Sequence, residues 1–191
     1  MTRIPSCLIL LVALSGLGGP GSAAAADNCP GTGAKDVSGT LEYLRGDRKS
    51  LEPKCVVASI RYIAAQRYLP SISVLVQYLD YADPTASAQR RSVLEVYPAL
   101  DALVSFRKPS SQYLVSAIAD PETPELAREN AAIAIQFTYS AMPPEGVALL
   151  VRTAHEQADP LASIRLMDKA RWLAHRCPEP ARNNCENAVL K

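Results

Sequence analysis

The sequence predicts an all-α fold, a short right-handed stack of antiparallel helix pairs, and three observations predict it. The tripeptide Ala-Asp-Pro recurs at 82–84, 119–121 and 158–160, at intervals of 37 and 39 residues. Interleaved with it stand Pro70, Pro109 and Pro144, at intervals of 39 and 35 residues. Self-similarity at such a period marks an architecture of stacked supersecondary units. The segments between the marks repeat apolar residues at i, i+3, i+4 and i+7, the spacing of one helical face. No alternating apolar and polar run bounded by Asn-Gly or Asp-Gly occurs, so no sheet is expected.

Residues 1–26 read as a secretory signal peptide. Arg3 supplies a positive start, Cys7 to Leu14 an apolar run, and Ala24-Ala25-Ala26 a small-residue cleavage site before Asp27. The apolar run is too short for a membrane helix, which needs about 20 residues, so no stable membrane insertion is expected. Ala26-Asp27-Asn28 before Cys29 departs from the Leu-Ala-Gly type of lipoprotein signal. Loss of this segment removes one base and no acid, leaving 19 of the 20 Lys+Arg against 19 Asp+Glu. A neutral chain has no charge excess for phosphate backbones, so no nucleic-acid partner is expected.

Four cysteines remain after Cys7 departs: Cys29, Cys55, Cys177 and Cys185. An even number in an exported chain reads as two disulfides, with three possible pairings. Cys29–Cys55 and Cys177–Cys185 are favoured, because each pair is local and would tie down a frayed end. A zinc site is disfavoured by the absence of a Cys-x-x-Cys pair.

Residues 27–52 read as an irregular segment and a half-unit cap, with Leu41 to Leu44 as a short helix ended by Gly46-Asp47. The repeats occupy 53–176. First helices are expected at about 55–68, 88–106, 125–140 and 161–176, with Pro98 bending the second. Second helices open at the interleaved prolines. Ile72, Leu75, Val76 and Leu79 form the apolar face of one, Tyr113, Leu114, Ala117 and Ile118 that of the next, and Val147, Leu150, Val151 and Ala154 that of the last. Proline is tolerated in a first turn, where its missing N–H has no helical partner. Ala-Asp-Pro then stops the helix, and its aspartate can cap the one that follows. Residues 177–191 are expected to be an irregular, disulfide-bearing tail.

This unit length, with its Asp-Pro turns, proline-opened second helices and Pro98 within a first helix, resembles the HEAT-repeat family over residues 53–176. The resemblance implies an α-α solenoid of three to four pairs whose second helices line a concave surface. It implies no particular activity.

Catalytic and metal motifs are sparse. His155-Glu156-Gln157-Ala158-Asp159 is similar to the zinc-protease helix motif, but Asp159 stands where a second histidine is needed and Pro160 ends the helix. His175 near Cys177 could make a thiolate–imidazole pair only if Cys177 were reduced. Asp120, Glu122, Glu125 and Glu129 cluster at a helix start, where negative charge stabilises the helix dipole. No Gly-rich phosphate loop occurs, so no cofactor is expected. Tyr78, Tyr81 and Tyr113 on or near second helices, with Arg107 and Arg152, suit a protein-binding patch, because tyrosine and arginine anchor interfaces. The expected function is a non-enzymatic protein-binding or scaffolding module in the periplasm or outside the cell. The rival expectations are a helical-repeat hydrolase or lyase with an Asp/Glu/Tyr site, and a purely structural envelope component.

Overall fold

The computed structural model describes Cys29, residues 36–86 and residues 92–190. The expected signal peptide lies outside the described residues. All regular structure among them is helical, with no strand. Ten α-helices follow one another: α1 (Val37–Leu44), α2 (Pro53–Gln66), α3 (Ile72–Val76), α4 (Val93–Val96), α5 (Pro98–Phe106), α6 (Lys108–Ala119), α7 (Glu125–Thr138), α8 (Pro143–Glu156), α9 (Pro160–Ala174) and α10 (Arg182–Ala188). None is long and apolar enough to cross a membrane.

The punctuation read from the sequence acts in part where it was expected: Pro109 and Pro144 open α6 and α8, while Pro70 stands in a 3-10 turn just before α3. Prolines stand in the first turns of α2, α5, α6, α8 and α9. All three Ala-Asp-Pro aspartates bind nearby backbone, each in its own way. The Asp159 carboxylate caps α9 by accepting from the Leu161 and Ala162 amides. Asp120 accepts from the Glu122 amide at 3.0 Å, and Asp83 from the Thr85 amide at 2.8 Å. These are Asx turns, in which the side chain mimics a backbone turn.

Three expectations are corrected. Over 92–106, the described part of the helix expected at 88–106, two helices form, because Tyr97 adopts an extended conformation (φ −114°, ψ 91°) and Pro98 opens a fresh helix at α5. A residue before proline is sterically pushed out of the helical region, so Pro98 breaks the rod. The helix after Pro70 ends at Val76, and Gln77, Tyr78, Leu79 and Tyr81 continue in i→i+3 turns that bring Leu79 into the core. The tail is not wholly irregular, since α10 forms around buried Cys185. Both disulfides are the favoured ones, Cys29–Cys55 and Cys177–Cys185.

The helices flanking the second and third Ala-Asp-Pro turns are the closest partners: α6 packs along α7, and α8 along α9. Successive first helices also touch, α2 with α5, α5 with α7 and α7 with α9, while α3 reaches α6. One apolar cluster runs through the described chain from Leu41 to Val189. Buried polar bonds fix its register. The Tyr78 hydroxyl donates to the Leu44 carbonyl at 2.6 Å, and the Asn130 amide of α7 donates to the Leu79 carbonyl at 2.7 Å. Both carbonyls lie at helix or turn ends, where the helical ladder leaves acceptors without partners. Gly146 sets how closely α8 can approach: a Cβ there would stand 2.6 Å from Tyr139 Cβ and 2.8 Å from Leu173 Cδ1.

Candidate functional site

A cleft of about 480 Å³ opens between α3 and α6. Ser73, Val76 and Gln77 line one wall, Tyr113, Ser116 and Ala117 the other, and the Asp120–Pro124 turn and Ala127 of α7 contribute as well. Helical periodicity explains the walls. On α6, Leu114, Ala117 and Ile118 turn inward and are buried, so Tyr113 and Ser116 are left facing solvent.

Arg48, from the loop after α1, completes the lining. Its Nη1 donates to Asp80 Oδ1 at 2.7 Å and lies 3.4 Å from the Gln77 carbonyl. The guanidinium stands 5.4 Å from the Tyr78 ring centre and 5.1 Å from that of Tyr81, and the two rings meet edge-on at 6.0 Å. Cation–π attraction and the carboxylate together hold one rotamer of a long side chain. Burial raises the Tyr78 and Tyr81 phenols above the ordinary tyrosine value, and the Arg48 charge offsets this only in part. Both hydroxyls therefore stay protonated at neutral pH, and Tyr78 can donate to Leu44.

The residues expected to bind a partner are thus distributed. Tyr113, 45% exposed, lines the cleft; Tyr78 is buried behind Arg48 and Tyr81 is half-buried beside it. Arg107 is the exposed corner between α5 and α6, at φ 60°, and Arg152 is exposed on α8; neither lines the cleft. The guanidinium beside the tyrosines is that of Arg48. The acidic cluster divides: Asp120 and Glu122 line the cleft, whereas Glu125 and Glu129 face Arg165 of α9 across a separate hollow. Asp120 is occupied structurally, accepting from the Glu122 amide and the Thr123 hydroxyl.

Comparison with family models, with curated proteins and with solved structures yields no match to this chain. The chemistry is therefore read from the residues alone. No group of three His, Cys, Asp or Glu among the described residues could hold a metal ion. His155 is exposed in the last turn of α8, where its ring can meet terminal carbonyl dipoles. His175 ends α9 with Nδ1 4.0 Å from Glu186, and the neighbouring Cys177 is in a disulfide. The cleft offers hydroxyls, carboxylates, one fixed guanidinium and an exposed ring.

A second polar centre holds the adjoining turn. Asp83, 4% exposed, accepts from the Thr85 amide and hydroxyl at 2.8 and 2.6 Å and from Arg61 Nη2 at 2.9 Å. Its own amide donates to the Val96 carbonyl at 2.8 Å, tying α4 to this turn. Burial pushes the Asp83 carboxyl up, but the Thr85 bonds and the Arg61 charge outweigh it and hold the group below the usual aspartate value of 3.8. A carboxyl depressed in the folded state stabilises the fold above its unfolded value, and that contribution is lost as pH falls through the folded value. Unfolding free energy should therefore drop more steeply below about pH 4 in the parent than in Asp83→Asn, as read by urea titrations at a series of pH values. Parallel curves for the two proteins would refute the assignment.

Proposed function

We propose that this chain is an exported, non-enzymatic protein-binding module, built as a HEAT-like helical stack, that takes a segment of a partner into the cleft between α3 and α6. The observation that carries this reading is Tyr113, an exposed ring in an open cleft beside an arginine already fixed by carboxylate and rings. Large aromatic side chains dominate interface energetics, and a preordered neighbour lowers the entropy cost of docking. The stack itself is supported by the unit spacing and by the succession of contacts α2–α5–α7–α9. Export to the periplasm or the exterior is supported by the signal-like start and by two disulfides, which persist in oxidising compartments.

The test is capture of a partner from envelope extract on the immobilised, disulfide-bonded protein, followed by titration of that partner. Tyr113→Ala should weaken binding at least tenfold, which corresponds to about 1.4 kcal/mol at a central aromatic. Arg152→Ala, outside the cleft, should leave it unchanged. Equal affinity for parent and Tyr113→Ala, or turnover of a substrate by the purified protein, would defeat this reading.

A further inference from the structure

The outward face of α9 combines apolar exposure with positive charge. Leu161 is 60% exposed, Ile164 55% and Trp172 37%, so three of the exposed large apolar side chains among the described residues belong to this helix. On a helical wheel they fall on one side, because positions 161, 164 and 172 recur within a single arc opposite buried Ala162, Leu166, Ala170 and Leu173. Residues 161–176 also carry four bases, Arg165, Lys169, Arg171 and Arg176, against the single acid Asp168, in a chain with 20 bases and 19 acids overall. This stretch therefore carries a net positive charge.

The bases differ in their surroundings. Arg165, Asp168 and Lys169 line the hollow shared with Glu125 and Glu129 of α7, and Arg165 lies 3.9 Å from Glu125. Arg171 pairs with Asp168 at 2.7 Å on the exposed surface, a weak interaction in water. Arg176 stacks over the Trp172 ring at 4.0 Å. The exposed strip of α9 thus holds Leu161, Ile164, Asp168 and Trp172, with Arg171 paired to Asp168 at its edge and Arg176 over the indole just beyond the helix.

We propose that this strip docks α9 flat on an anionic phospholipid surface. A helix that lies in the interface buries its apolar face at the headgroup boundary while its bases meet lipid phosphates. Indole is at home at that depth, with an apolar body and a polar edge. The contact is peripheral, as three apolar side chains bury too little area to insert a helix. Charge complementarity selects lipid over a second copy, whose own residues 161–176 would bring the same net positive charge to the interface.

Trp172 is the sole tryptophan of the chain, so its emission reports the contact directly. The disulfide-bonded chain is titrated with vesicles of phosphatidylglycerol and phosphatidylcholine, and in parallel with phosphatidylcholine alone. A blue shift and co-flotation are expected with the anionic vesicles only, and both should be lost on raising ionic strength. Ile164→Asp should reduce partitioning at least tenfold, and Arg171→Glu with Arg176→Glu should do the same; each is at the surface, and an unchanged circular dichroism spectrum certifies the fold. Equal binding to neutral vesicles, binding unaffected by Ile164→Asp, or no shift with either vesicle would overturn the proposal. So would a blue shift without lipid that grows with protein concentration, which would assign the strip to self-association.

Discussion

Leu100→Ala is expected to lower the unfolding free energy by about 2–5 kcal/mol, against a total of about 5–15 kcal/mol for a domain of this kind. Leu100 is 0% exposed on α5, the helix that touches α2 on one side and α7 on the other while also meeting α3, α4 and α6. Truncation removes the transfer energy of the lost methyl and methylene groups and leaves a void. Neighbours drawn from several helices cannot all close in on it together. The measurement is urea unfolding followed by circular dichroism, with Leu161→Ala as control. Leu161 is 60% exposed, so its truncation should change stability by less than about 0.5 kcal/mol. A loss below about 1 kcal/mol at Leu100 would mean that α5 is not the centre of a cooperative core.

That central place was only partly legible from the amino acids. The Ala-Asp-Pro marks located the turns because their effect is local: proline ends the ladder and a short carboxylate binds amides two or three residues on. The interleaved prolines located helix starts for the same reason. Pro98 was read as a bend, yet the conformation of Tyr97 turned it into a helix start. Both outcomes are open to a proline within an apolar-periodic run, and packing chooses between them. The helix α10 escaped notice because Arg182-Asn183-Asn184-Cys185 has weak intrinsic helical preference. What holds it is tertiary, the tether at Cys185 and the burial of Val189.

The cleft was legible in its aromatic part and opaque in its ionic part. Tyr113 was named as a binding aromatic, yet its spacing also put it on the apolar face of α6 with Leu114, Ala117 and Ile118, and of these four it alone is exposed, at 45%. Arg48 could not be found this way. It lies in a loop, and Asp80, Tyr78 and Tyr81 reach it across about thirty residues of sequence, a pairing that only the packing of α1 and α3 on α2 and α5 creates. Arg107 illustrates the reverse. Its residue type suggested an anchor, but its backbone is spent on a corner, with the buried Ser110 hydroxyl 2.7 Å from its carbonyl.

The two disulfides should fail differently. Loop entropy alone assigns about 3.5 kcal/mol to Cys29–Cys55, which closes 26 residues, and about 2.5 kcal/mol to Cys177–Cys185, which closes 8. Cys29→Ala with Cys55→Ala should therefore lower global stability by about 3.5 kcal/mol, because Cys55 sits in the first turn of α2, a helix of the continuous core. Since α2 is also held by Val56, Ile60 and Ile63, all at 0% exposure, the helices should persist and the transition remain single. Cys177→Ala with Cys185→Ala acts on a helix with little else to hold it. Here amide exchange should rise through 182–188 while protection in α5 and α7 survives, since α10 can open without them. The front staple is thus a constraint on the whole unfolded chain, and the rear one a clasp on its last helix. Reversal of that pattern, with global loss at the rear and local opening at the front, would show that the cooperative core is anchored at its other end.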